Sequence, residues 1–209
     1  MDELDTPILD NHLHLDPDAG RGLDAVADFV RLGGTHLLVV NKPSWHLGDV
    51  PESAADFDHA FAVTLDVVDR ATGILPGRAW PVLGVHPGLV SRLVDDAGLA
   101  PAAAAGLMCA GLDRAAEHVR RGDALALKSG RPHYEVSDAV RAASNEVMCH
   151  AFALGAELDC AVQLHTDATD DLTEAAAWAE ERGLPAHRVV QHYPGGRLSG
   201  PTPSGRSAT

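Results

Sequence analysis

Six short and almost continuous hydrophobic runs recur along the chain, and helix-period segments separate most of them. Such runs are typical of parallel strands covered by helices on one face and by a packed interior on the other. The predicted strands are Pro7–His14, Thr35–Asn41, Ala79–His86, Ala124–Ser129, Ala161–His165 and Arg188–His192. The chain is therefore expected to contain a parallel sheet.

Four amphipathic helices are predicted between these strands, because apolar residues repeat at spacings of three and four. Their stripes begin at Leu23, Phe57, Val136 and Leu172. Ser53 is placed to cap the start of the second helix. Strands that alternate with helices predict a single α/β domain with an open or a closed parallel sheet.

The end of the chain has a different pattern. After His192 the sequence is rich in Gly, Pro and Ser and has neither a strand nor a helix period. We therefore expect one incomplete domain over residues 1–195, an irregular tail over residues 196–209, and no further strand.

The composition narrows the possible partners. The formal net charge is −14, and 30 Asp and Glu outnumber 16 Lys and Arg, only two of which are Lys. Such a balance excludes a broad basic nucleic-acid-binding face, and it suits either a high-salt cytoplasm or a GC-rich genome. The longest apolar stretch, Leu99 to Leu112, contains Pro101 and is too short to span a bilayer. The acidic N-terminus does not resemble a secretory signal.

The three cysteines also bear on location. Cys109, Cys149 and Cys160 have no metal-type spacing and are interpreted as reduced core thiols. A cytoplasmic protein with no membrane partner is expected, and its oligomeric state stays open.

Histidine, lysine and asparagine residues lie at the carboxyl ends of the predicted strands, which is where α/β proteins have their catalytic and binding sites. They are His12, His14, Asn41, Lys42, His86, Lys128, His165 and His192. Because side chains alternate along a strand, Asp10, His12 and His14 should share one face. Imidazoles gathered at one edge predict a metal site. An open-sheet binding protein with incidental histidines is the weaker interpretation.

The two lysines, Lys42 and Lys128, are predicted to have different roles. A buried Lys128 could lose its proton and react with carbon dioxide to form a carbamate that bridges two cations. Alternatively, Lys128 is a cation that satisfies a carboxylate or replaces one metal ion, and the spacing favours neither. Lys42 is expected to face the substrate, and Arg131 and Arg197 are further candidates for phosphate binding.

Five motifs in order resemble the TatD-related hydrolases of the amidohydrolase superfamily. They are Asp10 to Leu15, Gly84 to Gly88, Lys128 to Tyr134, Gln163 to His165 and Gln191 to Tyr193. The resemblance runs from residue 7 to about residue 203. It implies a (β/α)₈ barrel of the TIM type, of which about six βα units are present here. It also implies two divalent metal ions at the mouth of the barrel.

The resemblance assigns roles to particular residues. The implied metal ligands are His12, His14, Lys128, His165 and His192. His86 and His133 lie in the implied substrate pocket beside Lys42 and Arg131. Zn, Mn, Fe and Ni all suit such a site. The implied reaction is hydrolysis of a phosphodiester or of a related ester or amide bond by metal-activated water, as in a deoxyribonuclease.

The chain departs from the family pattern in its last part. A barrel of this type takes about 250 residues, and the acid that acts as general base at the end of strand eight has no counterpart here. Asp10, Asp167 and Glu135 are weak substitutes. The alternative is therefore a truncated remnant that binds metal weakly or needs a partner to complete the barrel.

Overall fold

The computed structural model describes residues 6–48, 50–167 and 171–192, together with the backbone of residues 207–208. In this part of the chain, seven parallel strands form one sheet, and each strand pairs with the next along the sequence. The strands are β1 (Leu9–Leu13), β2 (His36–Val40), β3 (Ala79–Gly84), β4 (Ala126–Gly130), β5 (Val162–His165), β6 (Val189–Gln191) and β7 (Ser207–Ala208). All six predicted strands are confirmed, with ends that differ by no more than two residues.

The sheet curls into a half-barrel with alternating helices, which confirms the barrel-type α/β fold. The expectation of no strand after His192 was wrong, because Ser207–Ala208 pairs in parallel with β6. The physical reason is that the open edge of β6 presents unpaired backbone groups, which are a template for further pairing.

Six α-helices occur in the described part of the chain. They are α1 (Leu23–Arg31), α2 (Phe57–Thr72), α3 (Leu89–Ser91), α4 (Pro101–Arg121), α5 (Asp138–Glu157) and α6 (Thr173–Glu181). The four predicted helices are confirmed as α1, α2, α5 and α6. Ser53 caps a 3₁₀ turn, Ala54–Asp56, that leads into α2. No described helix is long and apolar enough to cross a bilayer.

Helix α4 is not among the predicted helices. Its apolar positions are mostly Ala and Gly, which produce no strong stripe of large side chains. Pro101 occupies the first turn, where its missing N–H costs nothing, so it starts the helix. Gly122 ends the helix with φ +80°, a left-handed conformation that glycine adopts without strain.

The outer face of the sheet carries the main core. Leu127 on β4 and Leu164 on β5 are fully buried against α4 and α5, together with Met108 and Phe152. A second cluster packs Val26 of α1 and side chains of α2 against β1 and β2. Alternation along each strand therefore turns the intervening residues toward the inside of the half-barrel.

Two glycines let the central strands approach closely near the carboxyl edge of the sheet. A Cβ on Gly84 of β3 would clash with the backbone carbonyl of Lys128, and one on Gly130 of β4 with that of His165. The Asn41 side chain joins β2 to β3, since its Oδ1 accepts a hydrogen bond from Gly84 N at 2.8 Å. These contacts bring the ends of β2, β3, β4 and β5 together.

Candidate metal centre

Six histidine side chains meet at the carboxyl edge of the sheet and are referred to as the histidine cluster. They come from β1 and the residue after it, from the end of β5, and from the segments after β3, β4 and β6. The members are His12, His14, His86, His133, His165 and His192. Residues far apart in the sequence are thus joined by the parallel order of the strands.

The rings of the cluster are in direct contact. His12 stacks on His192 with centroids 3.7 Å apart and meets His14 edge to face at 5.0 Å. The ring centroid of His165 lies 5.2 Å from that of His192 and 4.7 Å from that of His86. His133, which is exposed, contacts His165 through a hydrogen bond of 3.1 Å between ring nitrogens. The four predicted histidine ligands therefore form one continuous group.

Hydrogen bonds orient the rings of His12 and His14. Gln163 Nε2 donates to the carbonyl of Asn11, so Gln163 Oε1 is left to accept from His12 Nδ1 at 3.0 Å. His14 Nδ1 donates to the carbonyl of Val40 at 2.7 Å. In a neutral ring, these bonds leave Nε2 unprotonated and able to bind a cation.

The electrostatics keep the rings neutral. Burial, followed by the nearby Lys128 charge, lowers the pKa of His12 to about 2 and that of His86 to about 2. The same causes lower the pKa of His165 to about 4, and they also lower the pKa of His192. Loss of hydration lowers the pKa of His14 to about 4. Neutral imidazole is the form that binds metals.

Lys128 lies beneath the cluster. It is in the middle of β4 and not at its end as predicted, and its side chain is only 1% exposed. Burial lowers the pKa of its amine to about 7. A substantial fraction of the amine is therefore uncharged at neutral pH, as both the carbamate interpretation and a ligand role require.

The donor chemistry of the cluster fits a divalent cation. His12 Nε2 is buried and has no hydrogen-bond partner among the described residues, so a cation would satisfy it. In the same part of the chain, no three His, Cys, Asp or Glu side chains are arranged as a coordination shell. The neighbouring rings, such as that of His192, would therefore have to turn toward an ion bound at His12 Nε2, while Gln163 holds the His12 ring.

Two of the three predicted phosphate-binding cations form ion pairs with carboxylates. Lys42 Nζ forms an ion pair with Asp16 in the segment after β1. Arg131 Nη1 donates to Glu174 Oε2 at 2.8 Å, and its Nε lies 3.5 Å from Asp167 Oδ2. Arg197 lies outside the described residues.

The weak candidates for a general base have other contacts. The prediction that Asp10 shares a face with His12 and His14 assumes strict alternation along β1, and the pairing of β1 with β2 shifts by one residue between Asp10 and Leu13. This irregularity breaks the alternation, and Asp10 Oδ1 accepts a hydrogen bond from His12 N at 3.1 Å. Asp167 lies between the guanidinium groups of Arg131 and Arg141. Glu135 is exposed on the segment between β4 and α5.

Gln163 is the positioning residue that the sequence analysis overlooked. Its signal was present, because it precedes His165 by two residues on the same strand and must share its face. Trp45 and Arg92 also lie beside the cluster. Nothing in their spacing pointed to the site, because the folding of two separate loops brings them there.

Comparison with known proteins agrees with this architecture. An uncharacterized protein of Methanocaldococcus jannaschii is 31% identical in an alignment of 205 positions that covers 93% of this chain and 68% of that protein. An amidohydrolase of Mycoplasma synoviae matches with a TM-score of 0.55 at 14% identity. A lactonase of Listeria monocytogenes matches with a TM-score of 0.51 at 11% identity.

Each alignment covers a smaller part of the solved structure than of this chain. The alignments cover 91% and 90% of this chain, but 56% of the amidohydrolase and 61% of the lactonase. At this identity the two structures establish the fold, that of the TIM-barrel hydrolases. A family profile described as TatD-related DNase matches residues 9–200. The chain therefore belongs to the TatD-related DNase family.

Proposed function

We propose that this chain is a metal-dependent hydrolase that cleaves a phosphodiester bond or a related ester or amide bond. The observation that carries the proposal is the orientation of His12 and His14. Their Nδ1 atoms are held by Gln163 and by the Val40 carbonyl, and His12 Nε2 is buried without a partner among the described residues. Two neutral imidazoles held in this way are suited to binding a cation.

The proposed ligands are His12, His14, His165, His192 and Lys128. A divalent ion bound to them would supply Lewis-acid chemistry, since it lowers the pKa of water and polarises the bond to be cleaved. Gln163 fixes the tautomer and orientation of His12. His86 and His133 lie beside His165, and their proposed role is to donate hydrogen bonds to the substrate. Zn, Mn, Fe and Ni suit this donor set, and two ions are expected.

Phosphodiesters are the first substrate class to test. The family description names a deoxyribonuclease, which supports DNA or a smaller nucleotide ester as the substrate. The same fold also carries other hydrolytic chemistries, so lactones and amides belong in the same screen.

The test is hydrolysis of bis(4-nitrophenyl) phosphate by the full chain after reconstitution with each metal. We expect turnover that requires the metal and is abolished in His12→Ala and His165→Ala. His59→Gln is the matched control, because His59 is exposed on α2 and outside the cluster. Unchanged activity in both alanine variants would contradict the assignment.

Lys128 is proposed to act either as a carbamate that bridges two metal ions or as a cation that satisfies a carboxylate or replaces one of them. Its burial and lowered pKa support the uncharged amine that carbon dioxide requires. If the carbamate forms, bicarbonate added during reconstitution should raise activity, and Lys128→Glu should be tolerated better than Lys128→Ala. If bicarbonate has no effect and Lys128→Arg behaves like wild type, Lys128 acts as a cation.

A second candidate is a form of the chain that needs a partner segment to complete the barrel. The observation that favours it is an apolar groove of about 500 Å³ inside the half-barrel, lined in part by Leu9, Leu38 and Val190. Leu9 at its rim is 52% exposed. Metal-dependent activity that rises more than linearly with protein concentration would support this candidate, and proportional activity would refute it.

We also propose a cytoplasmic location. Cys109, Cys149 and Cys160 are free thiols, which supports a reducing compartment. Fractionation of the source cells would test it, and recovery of the protein outside the cytoplasm would contradict it.

A further inference from the structure

A depression of about 320 Å³ opens beside the histidine cluster and shares His86 with it. Its walls come from the segments after three neighbouring strands, with Trp45 after β2, His86 after β3 and Tyr134 after β4. We refer to this depression as the Trp45 pocket. A group bound in it would lie next to the cluster, because the His86 ring is 4.7 Å from the His165 ring.

The aromatic side chains of the Trp45 pocket are held in place by other groups. The Trp45 ring meets the His86 ring edge to face at 5.3 Å, and the Arg92 guanidinium lies over one face of the Trp45 ring, 4.9 Å from its centroid. The Tyr134 hydroxyl donates a hydrogen bond to Ser91 Oγ at 3.0 Å. Rings fixed in this way offer a preformed surface and lose little conformational entropy when a ligand binds.

Two features of the backbone shape the pocket. The segment Arg92–Asp96 is a π-helical turn, a rare geometry that is often found at functional sites. Gly88 also lines the pocket, and a Cβ there would stand 3.2 Å from His86 Nδ1 and 3.5 Å from the Tyr134 hydroxyl. A larger residue at position 88 would therefore narrow the space between these two side chains.

The charges of the pocket select against a free phosphate group. Its charged lining residues are Arg92, Asp95 and Asp96, and Arg92 Nη1 lies 3.9 Å from Asp96 Oδ2. The carboxylates outnumber the guanidinium, so a second anion would be repelled. The same carboxylates accept hydrogen bonds from amino groups. An uncharged, flat ring that bears an amino group matches both the aromatic walls and this charge.

We propose that the Trp45 pocket binds an amino-bearing heteroaromatic ring of the purine type, which stacks on the aromatic side chains. A further part of the proposal rests on the proposed function: the pocket would hold the base of a nucleotide substrate while the bond to be cleaved lies at the histidine cluster. Base recognition would then depend on Trp45, Tyr134 and the two aspartates.

The test is binding of adenosine to the full chain, measured by titration calorimetry and by quenching of tryptophan fluorescence. Stacking of a base on an aromatic side chain is worth about 1–3 kcal/mol, so Trp45→Ala should weaken binding by roughly 5- to 150-fold. Tyr134→Ala should also weaken it, and Trp45→Phe should retain most of it. Trp178→Phe on α6 is the matched control for the fluorescence signal and should leave the quenching unchanged.

Inosine tests the role of the carboxylates, because it differs from adenosine by carrying a carbonyl in place of the amino group. We expect wild type to prefer adenosine, and Asp95→Asn with Asp96→Asn to reduce that preference. Both aspartates are exposed, so these variants should fold normally. The proposal is overturned if adenosine does not bind, or if it binds equally well to wild type, Trp45→Ala and Tyr134→Ala.

Adenosine has no phosphodiester bond, so its binding does not depend on hydrolysis. Hydrolysis of bis(4-nitrophenyl) phosphate without adenosine binding would overturn the pocket assignment alone. Adenosine binding without metal-dependent hydrolysis would overturn the proposed function alone.

Discussion

The outer face of the sheet and its carboxyl edge are built by opposite rules. On the outer face, Leu127 and Leu164 are buried among apolar side chains of α4 and α5. At the edge, the buried groups are the Lys128 amine and the Nε2 atom of His12, which has no hydrogen-bond partner in the described part of the chain. The first region stabilises the fold, and the second carries an energetic cost that indicates a function.

Strand β5 contains both regions in consecutive residues. Leu164 turns outward into the core, and Gln163 and His165 turn inward to the histidine cluster. Substitutions at neighbouring positions should therefore have different consequences, and these differences test the comparison.

The largest effect on stability is expected from Leu164→Ala. This change removes a fully buried side chain and leaves a cavity, which typically costs about 2–5 kcal/mol in the free energy of unfolding. His165→Ala should cost much less, because its side chain is partly exposed. Urea unfolding of the metal-free variants would measure both. Equal destabilisation would show that β5 does not divide into two regions.

The next effect is on metal affinity. Gln163→Ala should weaken binding of the divalent ion by about 10- to 100-fold, as loss of a residue that orients a ligand typically does. The reason is that His12 Nδ1 loses its acceptor and the ring can turn. Competition with a chromogenic chelator would measure the affinity, with His59→Gln as the control. An affinity equal to that of wild type would remove Gln163 from the site.

Acid should destabilise the carboxyl edge before the core. The pKa of His165 is about 4 in the folded chain against an ordinary value of 6.5, so below pH 6.5 the unfolded chain binds protons that the folded chain does not. The resulting stability is complete above pH 6.5 and is lost as the pH falls toward 4. Since His14 and His165 both contribute, we expect the Tm of the metal-free protein to fall by about 5–10 °C between pH 7 and pH 5.

The variant His165→Gln tests whether the histidine cluster causes this dependence of Tm on pH. His165→Gln should make the dependence of Tm on pH shallower, whereas His59→Gln should leave it as in wild type. A Tm that is constant or rises as the pH falls from 7 to 5 would contradict the neutral state of the cluster.

The last and smallest expected effect on the protein is the slow alkylation of the Cys109 thiol on α4. Burial, with a contribution from Glu146, raises the pKa of Cys109 to about 11. At pH 8 its thiolate is scarce, so iodoacetamide should modify it about 100-fold more slowly than a free cysteine. Peptide mapping by mass spectrometry would give the rate, and the unfolded protein in urea is the control. Rapid modification of the folded chain would show that α4 does not shield this position.

The sequence predicted the elements better than it predicted the details of the site. Hydrophobic runs and helical stripes were sufficient for six strands and four helices, because each pattern reflects the burial of one element. Helix α4 escaped because its buried stripe consists mostly of Ala and Gly, so few large apolar side chains mark it in the sequence. The irregular pairing of β1 between Asp10 and Leu13 depends on contacts with β2 that the period of a single strand does not contain.

The candidate site divides in the same way. The grouping of His12, His14, His165 and His192 followed from strand ends, because parallel strands end at one edge. The ion pair of Lys42 with Asp16 did not follow, since it depends on the path of a loop. The Trp45 pocket did not follow either, because it requires segments after three strands to fold against one another.

Metal content per chain tests the central claim most directly. The full chain and its His12→Ala and His165→Ala variants would be reconstituted in high salt with Zn²⁺, Mn²⁺ or Ni²⁺ and separated by size exclusion, and the monodisperse peaks would then be subjected to elemental analysis. We expect about one to two equivalents of at least one metal in the wild type, and a clear loss in both variants. Wild-type metal content no higher than that of the variants would contradict the assignment of the histidine cluster as a metal site.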